Sequence, residues 1–292
     1  PGMQLAVSSD MLVEGRHFFP DVKPQALGHK ALAVNLSDLA ACGAEPLAFT
    51  LALALPNADD AWLAAFARGL FALADAHGCE LVGGDTTRGP LNICITVFGE
   101  LPTGQALLRS GARAGDDLYV SGTLGDARLA LEALQGRVAL PPPLLAAARQ
   151  RLERPTPRVA LGQQLRGVAS SAIDLSDGLL GDVGHVLHAS GVGARIQMEN
   201  AIECIATNSY GISAGSLFDQ DFLLHCVLSG GDDYELAFTA PAAARAAVAA
   251  AALQAGTAVR RIGQIEAAPG LRVVDAAGRE LALAFSSFDH FA

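Results

Sequence analysis

The fold is decided by the longest apolar stretch of the chain, Ala31-Leu-Ala-Val-Asn-Leu-Ser-Asp-Leu-Ala-Ala-Cys-Gly-Ala-Glu-Pro-Leu-Ala-Phe-Thr-Leu-Ala-Leu-Ala-Leu55. Asn35, Asp38, Glu45 and Pro46 interrupt it, so it lacks the roughly 20 uninterrupted apolar residues of a membrane span. Its last part, Ala48–Leu55, predicts a buried strand. The stretch is therefore expected to lie inside a globular domain.

The composition supports a globular fold and limits the classes of partner. Of the 292 residues 51% are apolar but only 5% aromatic, so the core must consist mainly of Ala, Leu and Val. The formal charge is −10 and no Lys/Arg-rich run is present, which argues against nucleic acid as the main partner. An anionic substrate would need cations between it and this acidic chain. The five cysteines show no CxxC spacing and are expected to be the reduced thiols of a cytoplasmic protein.

Local patterns predict mixed α/β structure in two domains, residues 1–110 and 111–292. Asp59–His77 is a helix pattern with a capping aspartate and a terminal Gly78. The strand Leu5–Val7 is expected to stop at Ser8. Other expected elements are the strands Leu81–Val82, Asn92–Glu100, Leu118–Ser121, Ala172–Leu175, Arg195–Met198, Glu235–Thr239 and Leu271–Asp275, and the helices Asp126–Leu134, Leu144–Leu152, Leu179–Ala189 and Ala242–Ala255. The stretch Cys204–Gln220 has little pattern and is expected to be a surface loop or an insertion.

Short strings that contain aspartate follow or interrupt five apolar runs. They are Ser8-Ser9-Asp10, Asn35-Leu36-Ser37-Asp38, Gly83-Gly84-Asp85, Asp174-Leu175-Ser176-Asp177 and Gly230-Gly231-Asp232-Asp233. A serine or glycine beside an aspartate is often only a helix cap or a turn. Asp38 is harder to explain in this way, because an unpaired carboxylate inside an apolar stretch is costly. It needs a cation or a proton, and Asp174 is in a similar position.

Taken together, the five strings predict a site for magnesium and phosphate. Mg²⁺ prefers oxygen ligands and binds one or two carboxylates together with substrate phosphates. Gly83 and Gly84 allow the backbone to approach a phosphate closely. The sequence contains neither a Walker A string nor the protein-kinase motifs. We therefore expect ATP phosphates to be held through Mg²⁺ on scattered aspartates, and not by a P-loop.

In this order the strings resemble the thiamine-monophosphate kinase family, whose superfamily includes aminoimidazole-ribonucleotide synthetase and selenophosphate synthetase. The resemblance covers nearly the whole chain and rests on Ser8-Ser9-Asp10, Val13-Glu14-Gly15-Arg16-His17-Phe18, the string from Asn35 to Ala44, Gly83-Gly84-Asp85-Thr86-Thr87, the string from Asp174 to Leu179, the string from Gly230 to Leu236, and Phe288-Asp289-His290-Phe291. It implies a two-domain aminoimidazole-ribonucleotide synthetase-like fold of the α/β (α+β) class, with mixed sheets and flanking helices.

The resemblance also implies a reaction and a set of site residues. The reaction is transfer of the ATP γ-phosphoryl group to thiamine monophosphate, with several Mg²⁺ ions and no covalent or acid–base catalytic residue. The implied metal ligands are Ser8, Ser9, Asp10, Asp38, Asp85, Asp174 and Asp177. The implied ATP contacts are Gly84, Asp85, Arg109 and Ser176, and the implied substrate contacts are His17, Asp232 and Phe288. Phe288 would stack on the thiazolium ring and Asp232 would balance its charge. A homodimer is implied, with residues 1–110 carrying the ATP and Mg²⁺ sites and the dimer contact.

Two departures from the family pattern bear on the site. No Gly-Asp-Asp-Ala-like string, which supplies a metal ligand in the family, precedes Asp10. Either a segment is missing before Pro1 or the metal site lacks that ligand. Asp232 stands where the family usually has Glu, which shortens the reach of the carboxylate.

Two other functions stay open at this point. One is another ATP-dependent synthetase of the superfamily, although no cysteine precedes Cys42 to serve a selenophosphate synthetase. The other is a nucleotide-binding regulator without catalysis. ATP consumption without thiamine monophosphate would favour the synthetase, and ATP binding without turnover would favour the regulator.

Overall fold

The computed structural model describes residues 2–205 and 217–282, which form two mixed β-sheets with flanking helices. Among these residues the first sheet has the strand order β1-β4-β2-β3, in which β2 and β3 are parallel and the other neighbours are antiparallel. Its strands are β1 (Met3–Val13), β2 (Glu45–Leu55), β3 (Glu80–Arg88) and β4 (Asn92–Pro102). Strands β1 and β3 are therefore the two edges of this sheet.

The second sheet has six strands in the order β10-β7-β9-β5-β8-β6, and its parallel pair is β10 with β7. Its strands are β5 (Asp117–Ser121), β6 (Ser171–Asp174), β7 (Gly193–Gln197), β8 (Leu236–Ala240), β9 (Val259–Glu266) and β10 (Gly270–Val274). The expected fold of mixed sheets and flanking helices is confirmed. The chain passes from the first sheet to the second between Pro102 and Asp117. The division at residues 110 and 111 stays a prediction.

The helices in the described ranges are α1 (Pro24–Cys42), α2 (Asp60–Ala76), α3 (Asp126–Leu134), α4 (Pro142–Glu153), α5 (Val159–Gln164), α6 (Leu179–Ser190), α7 (Met198–Ile202), α8 (Gln220–Ser229) and α9 (Arg245–Gln254). The carboxylate of Asp59 caps α2 by accepting hydrogen bonds from the backbone N–H groups of Ala61 and Trp62, at 2.8 and 3.1 Å. Within the described ranges, no helix is long and apolar enough to cross a membrane.

Helix α1 lies between the two sheets and positions the candidate site. It begins at Pro24, whose ring fits the first helical turn, and ends at Cys42, after which Gly43 adopts the left-handed conformation (φ 72°). It contacts β1, β2 and β4 of the first sheet and β6 of the second. Most of its residues are buried on every side, so one hydrophobic core joins the two halves of the chain.

One local expectation differs from the structure. Strand β1 was expected to stop at Ser8, but it continues through Ser8, Ser9 and Asp10 to Val13, because β4 pairs with it along its whole length. The stretch Cys204–Gln220 lies partly outside the described residues. In its described part, the Asp219 carboxylate accepts a hydrogen bond from the Phe222 N–H and caps α8, so the stretch ends at the first residue of this helix.

Candidate active site

A cavity of about 360 Å³ opens between the two halves of the molecule. It brings together residues that are far apart in the sequence. Seven of the predicted site residues line it, namely Asp10, His17, Asp38, Asp174, Ser176, Asp177 and Asp232. Four of the predicted metal ligands and two of the predicted substrate contacts therefore share one cavity.

The first half contributes its carboxylates from β1 and α1. Alternate residues of β1 face α1, and Ser8 and Asp10 are among them. The Ser8 hydroxyl donates a hydrogen bond to Asp38, and the Asp10 backbone N–H donates to the Asn35 amide oxygen at 3.0 Å. The extended strand thus presents two of the predicted ligands to the helix that carries a third.

The second half contributes Asp174, at the end of β6, which meets Asp38 across the boundary between the halves. Ser37, the neighbour of Asp38 on α1, donates a hydrogen bond of 2.9 Å to Asp174. Burial and the negative charge of Asp38 raise the pKa of Asp174 to about 8. Burial also raises the pKa of Asp38, against the opposing effects of the Ser8 hydrogen bond and of the Arg109 charge. A cation bound between two buried carboxylates that repel each other would remove this repulsion.

The segment 174–177 is joined by backbone hydrogen bonds to the loop 230–235. The Asp232 N–H donates to the Ser176 carbonyl at 2.8 Å, and the Tyr234 N–H donates to the Leu175 carbonyl at 2.9 Å. Asp232 (φ 61°) and Tyr234 (φ 49°) both adopt left-handed backbone conformations, which are strained for residues with a side chain. The surrounding contacts hold this strained loop beside the carboxylates.

A buried ion cluster also holds the loop 230–235 in place. Glu235 is fully buried, and its carboxylate accepts hydrogen bonds from Arg151 at 2.7 Å, from Arg158 at 2.6 Å and from the Ser121 hydroxyl at 2.5 Å. A buried carboxylate needs such complete pairing. The cluster ties the loop to α4 and to the connection between α4 and α5.

Lys30 and Tyr234 line the cavity, although the sequence reasoning missed both. Lys30 is almost fully buried on α1, and its ammonium lies 2.8 Å from the Asp232 carboxylate. Burial and the nearby carboxylates of Asp232, Asp10 and Asp174 raise the pKa of Tyr234. Lys30 precedes Asp38 by eight residues, which is a helical spacing, so recognising α1 as a helix would have revealed it.

The cavity is also lined by apolar side chains, namely Phe18, Phe19, Val22, Leu131 and Leu152. A cavity lined by both carboxylates and apolar side chains suits a ligand that carries a phosphate and aromatic rings.

Several predicted site residues lie elsewhere. Ser9 faces the opposite side of the first sheet from Ser8, and its hydroxyl lies 2.9 Å from that of Thr96. Gly84 and Asp85 are exposed on the edge strand β3. Arg109 does not line the cavity, but its charge acts on Asp38. Phe288 lies outside the described residues.

Gly84 has a structural role of its own. It adopts φ 148°, and a Cβ atom at this position would lie 1.9 Å from the backbone oxygen of Leu51. Glycine is therefore required here by the pairing of β2 with β3, whether or not a phosphate approaches.

The donor chemistry of the cavity fits Mg²⁺. Within residues 2–205 and 217–282, no group of three or more His, Cys, Asp and Glu side chains is arranged to hold a metal ion by itself. The carboxylates of Asp38 and Asp174 are nonetheless close enough to raise the pKa of Asp174, and neither forms an ion pair among the described residues. Mg²⁺ typically takes one or two carboxylates and completes its shell with water and phosphate oxygens.

Family models match both halves of the chain. Residues 1–101 match the AIR synthase related protein, N-terminal domain, and residues 113–276 match the AIR synthase related protein, C-terminal domain. Among curated proteins, the chain is 47% identical over 290 residues to a thiamine-monophosphate kinase of Salmonella typhimurium, covering 99% of this chain and 87% of the relative. It is 45% identical over 295 residues to the thiamine-monophosphate kinase of Escherichia coli K12, with the same coverage.

Solved structures of thiamine-monophosphate kinases are also similar to this chain. A thiamine-monophosphate kinase from Stenotrophomonas maltophilia is similar with a TM-score of 0.85 and 46% identity, over 93% of this chain and 85% of that one. A structure described as AaThiL complexed with AMPPCP and TMP is similar with a TM-score of 0.82 and 30% identity, over 99% of this chain and 88% of that one.

Proposed function

The chain belongs to the thiamine-monophosphate kinase family of the AIR synthase related proteins, and we propose that it transfers the γ-phosphoryl group of ATP to thiamine monophosphate, giving thiamine diphosphate. The observation that carries this proposal is the shared cavity, in which Asp38 and Asp174 meet beside His17 and Asp232. Both reactants are polyanions, so the protein must neutralise charge and align the reacting groups. No covalent intermediate is needed.

We propose that Asp10, Asp38, Asp174 and Asp177 hold Mg²⁺ ions in this cavity, with Ser8 supporting Asp38. The ions would neutralise the charge on the transferred phosphoryl group. The protein supports this arrangement by fixing the carboxylates before substrate arrives. Ser8 and Ser37 each donate a hydrogen bond to one of them, so neither Asp38 nor Asp174 can rotate freely.

ATP is proposed to contact Ser176, Arg109, Gly84 and Asp85. Ser176 lines the cavity beside Asp177, and Arg109 supplies a positive charge next to Asp38. A guanidinium group there can form paired hydrogen bonds to phosphate oxygens. Gly84 and Asp85 need a separate explanation, because they lie on the far edge of the first sheet.

The acceptor is proposed to lie with its phosphate beside the carboxylates of the cavity and its rings against the apolar side chains. His17 is proposed to contact this substrate. It lines the cavity, and its Nδ1 accepts a hydrogen bond of 3.0 Å from the Val13 N–H, which orients the ring. Phe288 is kept as a proposed stacking partner of the thiazolium ring.

A homodimer is proposed from the open face of the first sheet. The residues of β1 that point away from α1 include Met3, Leu5, Val7 and Met11, and their side chains are 44% to 63% exposed. An apolar sheet face of this kind usually packs against another protein surface. A second copy of the chain offers the same face, and a two-fold axis makes such a face complementary to itself.

The proposed dimer also explains Asp85. In the register of the sheet, Asp85 aligns with Ala52, Cys94 and Met11, so it lies three strand spacings, or about 14 Å, from β1 in its own chain. If two sheets pack face to face about a two-fold axis parallel to their strands, the β3 edge of one copy lies beside the β1 edge of the other. Asp85 of one protomer would then complete the ATP and Mg²⁺ site near Ser9 and Asp10 of its partner.

Two broader assignments follow. Residues 1–110 are proposed to provide the dimer contact and most ATP and Mg²⁺ ligands, and residues 111–292 to complete the site. A cytoplasmic location is also proposed, supported by the five free cysteines, Cys42, Cys79, Cys94, Cys204 and Cys226.

The proposal is tested by incubating the purified protein with ATP, Mg²⁺ and thiamine monophosphate. Thiamine diphosphate and ADP should form in equal amounts, and neither should form without thiamine monophosphate. ADP formation in the absence of this acceptor would favour a synthetase of the superfamily. ATP binding without any turnover would favour a regulator.

A further inference from the structure

An ion pair between Lys30 and Asp232 lies in the wall of the cavity. Lys30 is one of only two lysines in the chain and is 3% exposed. Its ammonium lies 2.8 Å from Oδ1 of Asp232 and 3.4 Å from the backbone oxygen of His17. A buried ammonium without such partners would be strongly unfavourable. The pair therefore links α1 to the loop 230–235.

Because Oδ1 of Asp232 is paired, this residue adds little net negative charge to the cavity. An Asp–Lys pair at this distance is neutral as a unit. This pairing favours a hydrogen-bonding role for Asp232 over the expected role of balancing the charge of the thiazolium ring. Its side chain is one-third exposed and lines the cavity, so a carboxylate oxygen can still accept a hydrogen bond from a ligand.

The position of the pair indicates which part of the substrate it meets. Lys30, Val34 and Asp38 all line the cavity and follow one another at four-residue intervals along α1. Lys30 and Asp38 are therefore about 12 Å apart along the helix axis. The reacting phosphate must lie near Asp38. In thiamine monophosphate an ethyl group joins the phosphate to the thiazolium ring, and a methylene group joins this ring to the aminopyrimidine. The more distant ring reaches the Lys30 end.

We propose that Lys30 is a positioning residue, which holds Asp232 so that its carboxylate accepts a hydrogen bond from the amino group of the aminopyrimidine ring. Asp232 thereby selects the substrate by hydrogen bonding and not by charge. This inference rests on the proposed function and assigns a specificity determinant within the same cavity.

The backbone of the loop supports a positioning role for Lys30. Asp232 is held in a left-handed conformation, and its N–H is fixed to the Ser176 carbonyl. Its carboxylate has two side-chain partners: it lies 2.8 Å from the Lys30 ammonium, and it accepts a hydrogen bond from the Tyr234 hydroxyl. Without Lys30, the carboxylate would lose its partner on α1, and its hydrogen-bonding direction would change.

The test compares kcat/KM for three acceptors. They are thiamine monophosphate, oxythiamine monophosphate, in which an oxygen replaces the amino group, and deazathiamine monophosphate, in which a neutral thiophene replaces the thiazolium. The wild type should prefer thiamine monophosphate over the oxygen analogue by about 10- to 100-fold, the value of a hydrogen bond to a charged group. Asp232→Asn and Lys30→Met should each reduce this preference to a few-fold. The preference over the thiophene analogue should stay the same.

Lys30→Met should also raise KM for thiamine monophosphate at least about tenfold, with KM for ATP unchanged, and Lys30→Arg should restore part of the loss. Lys23→Met, at an exposed lysine on the same helix end, is the matched control and should match the wild type. The double variant Lys30→Met with Asp232→Asn leaves no unpaired charge, so it separates the loss of selectivity from misfolding. It should retain the fold and show the same low selectivity.

Opposite results would overturn the inference. If Asp232 balanced the thiazolium charge, Lys30→Met would lower KM for thiamine monophosphate, and only the preference over the thiophene analogue would respond to Asp232→Asn. The inference would also be contradicted if a folded Asp232→Asn variant kept the wild-type preference for thiamine monophosphate over oxythiamine monophosphate. A wild-type protein that phosphorylates none of the three acceptors would instead contradict the proposed function.

Discussion

Ser37 on α1 donates a hydrogen bond of 2.9 Å to Asp174 at the end of β6, across the boundary between the two halves of the chain. The next residue of α1, Asp38, accepts a hydrogen bond from Ser8 of β1. One turn of a central helix therefore fixes a carboxylate from each half. Any change in this turn should affect phosphoryl transfer more than folding.

Asp38→Asn should lower kcat for thiamine diphosphate formation by about 100-fold or more, because the amide removes a charge from the proposed Mg²⁺ site. Its melting temperature should stay near the wild-type value. Asp59→Asn is the matched control, since Asn caps a helix as well as Asp does. Near-normal turnover by Asp38→Asn would contradict the metal assignment.

The raised pKa of Asp174 predicts a pH-dependent stability in the metal-free protein. Its pKa of about 8 in the folded state exceeds the unfolded value of about 4, so the folded state binds this proton more tightly. Stability should therefore fall as the pH rises from about 4 through about 8. Asp174→Asn removes this effect and should melt roughly 10 °C higher than the wild type above pH 8, with little difference below pH 4.

Thermal unfolding in a chelator measures this difference. Adding Mg²⁺ at alkaline pH should stabilise the wild type more than Asp174→Asn, which narrows the gap. Identical melting curves of the two proteins across the whole pH range would contradict the raised pKa of Asp174.

The proposed dimer predicts complementation between two inactive variants. Asp38→Asn and Asp85→Asn should each be inactive as homodimers. In a mixed dimer, one site receives both substitutions and the other receives none. Random mixing gives half of the dimers this composition, so activity should return to about one quarter of the wild-type value. The mixture is measured after joint refolding or co-expression.

A mixture that stays inactive, although mixed dimers form, would place Asp38 and Asp85 in the same protomer's site. As a second test of the interface, Leu5→Glu puts a charge on the open face of the first sheet. It should shift the protein toward monomers in analytical ultracentrifugation and reduce activity together with dimer content.

Glu235→Gln should destabilise the fold by about 3–5 kcal/mol, because it leaves Arg151 and Arg158 without their counter-charge in a buried site. Urea denaturation measures the change. Glu266→Gln removes a more exposed partner of Arg272 and should cost about 1 kcal/mol or less. Equal effects of the two substitutions would show that the buried cluster does not anchor the loop.

The sequence predicted the elements whose signals are local. The helix that begins after Asp59 has a capping side chain and a clear period, and Asp126–Leu134 has the predicted bounds. Helix α1 lacks such a signal because it is buried on all sides, so its apolar residues do not form a stripe. The polar residues Ser8 and Asp10 suggested the end of a strand, yet they lie inside β1 because their partners are on α1.

Only those residues of the candidate site that lie in the motif strings could be predicted from the sequence. Asp10, Asp38 and Asp174 were identified from such strings and share the cavity. Lys30 was missed because its place depends on α1 being a helix. The separation of Asp85 from these residues depends on the strand order of the first sheet, which no local pattern encodes.

Transfer of a labelled phosphoryl group tests the central claim most directly. The protein is incubated with ATP labelled at the γ-position, Mg²⁺ and unlabelled thiamine monophosphate, and the products are separated. The account predicts that the label appears in the terminal phosphate of thiamine diphosphate, in an amount equal to the ADP formed, and that Asp38→Asn abolishes this transfer. Label that appears only as free phosphate, or full transfer by Asp38→Asn, would contradict it.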